Sequence, residues 1–282
     1  MANFVRRAAH GGALAAVEGL HSRRGCQHPA HPVASSWRHT VQIFIGIMVE
    51  TQEQLESVIA EWGFLPFFKN AIEGFSVEEI VAPDLLFGEH GEEGAWQWKG
   101  PIISHWQSAY GKFFGGKAGF VSLEWLPDFV NWRRALYPRR KMGADARRIL
   151  SVLVEQESML SKQLKVASGF TLSRKRRCFN PDDPSEPIVN KRNGTAFDSL
   201  IAGLQMGTYV CIADFEYQVS RKGEPYGWGV ARYCTPEAMY DIDWKGAVEG
   251  RTPRQSFGRM EAHISRLFPC ADMKKIERMV GI

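Results

Sequence analysis

No apolar run in this 282-residue chain approaches the ~18–20 residues that a membrane-spanning helix needs, so such an anchor is excluded. Cysteine is scarce and badly spaced for chemistry. Cys26, Cys178, Cys211, Cys234 and Cys270 are odd in number, and no two stand as a CxxC pair. That excludes a disulfide scaffold and points to free thiols in a reducing compartment, the cytoplasm. Cys26, His28 and His31 are potential metal donors, but no fourth ligand follows at a normal spacing, and no metal or cofactor is expected. Acidic residues are nearly missing from residues 1–47, which hold five arginines against Glu18 alone. Arg-rich, acid-poor composition is that of a transit peptide. The apolar stretch Val41–Met48, however, is too short and too far from the N-terminus for a signal sequence. Residues 1–47 are read as a disordered or mis-assigned leader, with Met48 as the start.

What remains is an ordinary globular composition, 44% hydrophobic and 23% charged. Its length suits two ordinary domains or one large one, and two are placed, at 48–140 and 141–282. The net charge of +4 hides a gradient. Residues 48–128 carry 4 basic against 13 acidic side chains, and residues 129–192 carry 15 against 6. Positive charge is thus concentrated where phosphate contacts would be needed. Internal pairing with the acidic segment is the other reading, and the sequence leaves both open.

The first domain is expected as aromatic-rich α+β. Thr51 with Gln54 forms a capping-box pattern before a helix with Leu55, Val58 and Ile59 inward. Ser76 with Glu79 caps a short second helix, closed by Pro83. Trp96–Ser104 reads as a strand, and Ala109–Leu123 as a hairpin turning at Gly115-Gly116. Pro127 opens a helix to about Leu136, and Arg139, Arg140, Lys141 and Gly143 read as a linker. Sixteen aromatics crowd Trp62–Trp132. Most must be core, while Trp96, Trp98 and Trp106 have polar neighbours and are the candidates for exposed stacking surfaces.

The second domain follows the order of a winged helix. Ala146, Ile149, Leu150 and Leu153 mark one helical face. Leu160–Gly169 forms a shorter helix, and Thr195 caps a third with Phe197, Leu200, Ile201 and Leu204 inward. The period then switches to two. Tyr209, Cys211, Ala213, Phe215, Tyr217 and Val219 share one strand face, and Asp214 and Glu216 the other. Ser220–Pro225 is the hairpin loop and Tyr226–Tyr233 the return strand. Arg254–Phe268 and a helix capped by Asp272 pack back on the domain. Double-stranded DNA is the expected partner, through Arg174, Lys175, Arg176 and Arg177 of the long loop 170–194, with Lys162, Lys165, Arg221 and Lys222. A solvated insertion and a protein-interaction module are the plainer readings of the same features.

Several runs resemble one family. They are Trp98–Lys–Gly–Pro–Ile102, Tyr110–Gly–Lys–Phe–Phe114, Phe120–Val–Ser–Leu–Glu–Trp125, Phe197–Asp–Ser–Leu–Ile–Ala–Gly–Leu–Gln–Met–Gly–Thr–Tyr–Val210, Ile212–Ala–Asp–Phe–Glu–Tyr217 and Pro225–Tyr–Gly–Trp–Gly–Val–Ala–Arg–Tyr233. They are similar to bacterial AlkZ-related proteins, relatives of the AlkZ/YcaQ winged-helix DNA glycosylases that excise alkylated or crosslinked bases. The resemblance implies a role related to DNA repair. The glycosylases use glutamine, an apolar residue, then glutamine or aspartate. The nearest match is Gln205-Met206-Gly207, whose third position lacks the polar group. Gln205 is placed on the outward face of the third helix and taken as the candidate water-positioning residue. Asp214 is the carboxylate nearest in sequence that could replace the group missing at Gly207. A non-catalytic DNA-binding role is the alternative.

Overall fold

The computed structural model describes residues 48–88, 93–170, 192–219 and 225–281. The expectations for residues 1–47, for Arg174, Lys175, Arg176 and Arg177, and for Arg221 and Lys222 lie outside them.

Helix α1 (Gln52–Trp62) starts where its cap predicts, the Thr51 hydroxyl accepting from the Gln54 N–H at 3.3 Å. Leu55, Val58, Ile59 and Trp62 turn inward. Gly63 ends it at φ 73°, and a Cβ there would stand 2.4 Å from the Trp125 ring, so both backbone and packing require glycine. Strand β1 (Phe64–Pro66) follows, then α2 (Val77–Ile80), where Ser76 donates to Glu79 at 2.6 Å.

The stretch expected as a strand is instead α3 (Ala95–Ser104). Its buried residues Ala95, Trp98, Lys99, Ile102 and Ile103 follow helical spacing, and Gln97 closes the first turn by accepting from the Gly94 N–H. Tryptophans at every second position imitate a pleat, but the apolar period that is buried is 3.6. Trp98 is correspondingly buried, and Trp96 is half-buried, edge-on to Phe67 at 5.5 Å. Trp106 is the one of the three that is exposed.

Strands β2 (Ser108–Phe114) and β3 (Lys117–Ser122) form the expected hairpin, with Gly115 and Gly116 both at positive φ. Helix α4 (Leu126–Leu136) leads through a 3₁₀ turn at 139–141 into α5 (Ala144–Gln156), strand β4 (Ser158–Leu160) and α6 (Ser161–Ala167). Helix α7 (Arg192–Met206) begins three residues before the expected cap Thr195. It ends at Thr208, whose φ of 58° breaks the helix before β5 (Cys211–Val219). Strand β6 (Pro225–Cys234), α8 (Pro236–Met239), α9 (Pro253–Leu267) and α10 (Met273–Val280) complete the chain. Both C-terminal helices bury the expected faces.

The fold is α+β. Six antiparallel strands run in the order β1-β3-β2-β5-β6-β4. One Cα pair, Tyr110 with Ile212, joins the first three strands to the last three. The boundary expected near residue 140 therefore falls inside one sheet-linked unit. In the β5–β6 ladder the register shifts between Ile212 and Asp214 and again between Glu216 and Gln218, so the simple alternation expected along β5 is interrupted. Among the described residues, no helix is long and apolar enough to cross a membrane.

Two buried charges on α4 tie the layers together. Asp128 accepts from Arg251 at 3.0 Å, from Ser256 at 2.6 Å and from Arg259, holding α9 to α4. Arg133 has no exposed surface and donates to four carbonyls: Val280 and Phe113 at 2.9 Å, Met206 and Met279 at 3.3 Å. Burial lowers its pKa to about 10, so it stays charged at neutral pH. Arg133→Met is expected to leave those carbonyls unpaired and to lower unfolding free energy by on the order of 3 kcal/mol or more, measured by denaturant titration. Arg133→Lys should recover little, because one ammonium cannot span four acceptors.

Candidate nucleic-acid interface

Chain order places α5, β4, α6, α7 and the β5–β6 hairpin in succession, with β4 paired on β6 through Met159 and Tyr233. Helix α7 buries Phe197, Ile201 and Leu204 and leaves Asp198 and Ser199 exposed. The amphipathic face expected for this helix is therefore present, with one correction at its end.

Gln205 is not on the outward face. Its residue surface is fully buried. Its Oε1 accepts from the Lys112 N–H at 2.9 Å, and its Nε2 donates to the Ile201 carbonyl at 3.2 Å. A helical wheel assigns it outward when α7 is given a single packing face. Strand β2 packs on the last turn from another side and encloses it. Gly111 lies beside it, and a Cβ there would stand 3.3 Å from the Gln205 oxygen.

Asp214 is half-buried on β5, and its carboxylate accepts from the Phe215 N–H at 2.7 Å. Glu216 is neutralised by Arg232, whose Nε donates at 2.9 Å. Asp214 itself pairs with no cation among the described residues. The fold does not bring Gln205 and Asp214 together. Continuing the antiparallel register from Tyr110–Ile212 puts Lys112 and Asp214 on opposite sides of that pair, about four residues or roughly 13 Å apart along the strands.

Gly207 is packed, not merely vacant. A Cβ there would meet Tyr209 at 3.0 Å and Tyr137 at 3.3 Å. A side chain at the third motif position would therefore need the Tyr209 ring and the Tyr137 Cβ to give by a few tenths of an ångström.

Lys162 is exposed on α6, and Lys165 is half-buried with its ammonium 5.5 Å from the Phe197 ring centre. The larger cationic surface lies on the segment that reads as a linker in the sequence. Arg139, Arg140, Lys141 and Arg147 are all exposed, and none pairs with a carboxylate among the described residues. The excess of basic residues over 129–192 is its signal in the sequence. Beneath this turn lies a cavity of about 260 Å³, walled by Tyr137, Lys141 and Met142 on one side and by Leu200, Gly203 and Tyr209 on the other. Arg134 fixes its floor, donating to the Thr208 carbonyl at 2.9 Å and to Glu237, with its guanidinium 4.8 Å over the Tyr209 ring.

One further basic group is buried. Lys99 on α3 has its ammonium 3.5 Å over the Trp96 ring and 4.8 Å from Phe215, and it donates to the Trp96 carbonyl at 2.5 Å. Desolvation pulls its pKa from 10.5 to about 7. No group of three or more histidine, cysteine or carboxylate side chains among the described residues is placed to hold a metal.

A family model described as AlkZ related matches residues 49–281. No curated protein and no solved structure matches the chain.

Removing the Gln205 carboxamide tests its structural role. Gln205→Ala removes the acceptor of the Lys112 N–H and leaves a gap where the buried carboxamide stood, at a cost of about 1–3 kcal/mol. The melting temperature should fall by several degrees, and an unchanged melt would mean that the glutamine is not a structural tie. For Lys99, the unfolded chain holds the extra proton between about pH 7 and 10.5, so burial of the amine opposes folding at neutral pH and the penalty fades as pH rises through that window. Lys99→Met is expected to be more stable than the parent at pH 7, with the difference shrinking by pH 10 in paired denaturation curves.

Proposed function

This chain belongs to the AlkZ-related family, and we propose that it is a winged-helix protein that binds double-stranded DNA and has lost the excision chemistry of the glutamine motif. The observation that carries the reading is the family match over residues 49–281, within a family related to DNA glycosylases. The surface chemistry supports it. Arg139, Arg140, Lys141, Arg147 and Lys162 are exposed cations without carboxylate partners among the described residues, on segments that precede α7 in the chain. Such an array gains affinity for a duplex by releasing condensed counterions. Helix α7 would approach the groove with the exposed Ser199, while Asp198 opposes phosphate and limits how its first turn approaches. The basic loop 174–177, with Lys165, Arg221 and Lys222, would extend the same surface.

The loss of excision through the motif rests on packing. Gln205 is engaged at both ends of its carboxamide and closed to solvent. Gly207 supplies no polar group at the third motif position, and a Cβ there would press against the Tyr209 ring and the Tyr137 Cβ. A second reading keeps catalysis, with Asp214 as the acid/base group. Its favouring observation is that the carboxylate is half-buried and has no cation partner among the described residues, unlike Glu216.

Both readings meet in one set of measurements on the full chain. Replacing Arg139, Arg140 and Lys141 with glutamine should weaken binding to any duplex sequence and flatten the log K against log salt slope by about 0.9 for each phosphate that is no longer neutralised. An unaltered slope removes these cations from the interface. Incubation with alkylated duplex DNA is expected to release no free base. Release that Asp214→Asn reduces by roughly 10²–10⁴-fold would establish the second reading instead.

A further inference from the structure

Resting on the DNA-binding reading, we infer that the cavity between the 139–141 turn and α7 is a stacking site for one unpaired nucleobase, with the phosphates on either side of it held by Arg139, Arg140 and Lys141. Its volume, about 260 Å³, lies just below the range of pockets that hold drug-sized molecules, which suits a single ring system. Its walls are aliphatic and aromatic, supplied by Met142, Leu200, Leu204, Tyr137 and Tyr209. A planar π-system is the ligand chemistry such walls favour.

The polar groups sit at the rim. Lys141 lines the opening, and Arg139 and Arg140 are its exposed neighbours in the turn. An apolar slot under three such cations is complementary to a group that is flat and uncharged within and anionic at its edges. A nucleotide in a strand has that form. The hydroxyl of Tyr209 is used internally, donating to the Tyr137 carbonyl at 2.8 Å, and Tyr137 and Ser199 carry the other side-chain hydroxyls in the lining. Few groups are left to read a Watson–Crick edge. The site therefore takes a base by its face and its lack of a partner, not by its identity.

Gly203 permits a direct test. It lies in the cavity wall, and a Cβ added there meets nothing within 4 Å. Gly203→Ala should leave the space open and the helix intact, whereas Gly203→Phe should fill it. The probe is a duplex carrying one 2-aminopurine opposite an abasic site, with a fully paired duplex as reference. The parent chain and Gly203→Ala should change the 2-aminopurine emission and prefer the unpaired probe. Gly203→Phe should lose that emission change and lose the preference for the unpaired probe over the paired duplex, by roughly 5- to 150-fold.

A Gly203→Phe chain that retains the parent's response overturns the site while leaving the DNA-binding reading in place. A parent chain that binds neither duplex overturns that reading and the site with it. A measurement on the unaltered chain guards against misfolding of the variant. Photocrosslinking from 5-iodouracil at the probe position should give adducts on Tyr137 or Tyr209 by mass spectrometry. Adducts confined to other residues overturn the site.

Discussion

A guanidinium with no carboxylate partner among the described residues holds this fold in register. Arg133 leaves α4 and ends among the C-terminal carbonyls of α7 and α10 and the Phe113 carbonyl of β2. Helix C-termini carry partial negative charge and unpaired acceptors, so their convergence on one cation satisfies both at once. The charge is compensated by dipoles instead of an anion, and the pKa, although lowered to about 10, remains high enough to keep it. Gln205 adds a second tie one residue earlier, through the Lys112 N–H. Together they fix the last turn of α7 against β2. The opposite face of α7, with Ser199 and Gly203, is thereby presented at a set angle beside the basic turn.

Elements whose signal is local are legible in the sequence. Thr51 and Asp272 cap with their side chains where the sequence predicts, Ser76 takes the N-cap position with its hydroxyl on Glu79 instead of a free N–H, and Gly115-Gly116 turns the hairpin where positive φ is needed. The failures come from partners that are distant in the chain. Trp96–Ser104 reads as pleated because alternate tryptophans dominate it, yet burial follows Ala95, Trp98 and Ile102. Arg133 counts toward a positive surface because a sequence cannot show that four carbonyls from residues 113 to 280 surround it. Gln205 falls outward on a wheel drawn around one packing face, and β2, some ninety residues earlier, supplies the other. Its motif match is partial, since Gly207 lacks the third polar group, and tertiary packing closes the Gln205 carboxamide off from solvent, which no string of residues shows.

The charge gradient leaves two readings open in the sequence, a phosphate surface or internal pairing with the acidic segment. The ion pairs bear on that choice. Among the described residues, Glu56 pairs with His105 and Glu79 with Lys69, both within 48–128, while Asp128 pairs with Arg251 and Arg259 near the C-terminus. Arg134 pairs with Glu237, and Arg148 with Asp145 three residues before it. No pair among them joins a carboxylate of 48–128 to a cation of 129–192. The acidic segment thus makes its ion pairs within itself and with the C-terminal part, and the cations at 139–141, 147 and 162 are left facing water. Exposed charges of one sign repel at this spacing and disfavour the folded state unless an external anion shares them. They are grouped beside an apolar slot at the fixed face of α7, and under the proposed nucleic-acid reading the anion that relieves the repulsion would bring a base within reach of Tyr137 and Tyr209.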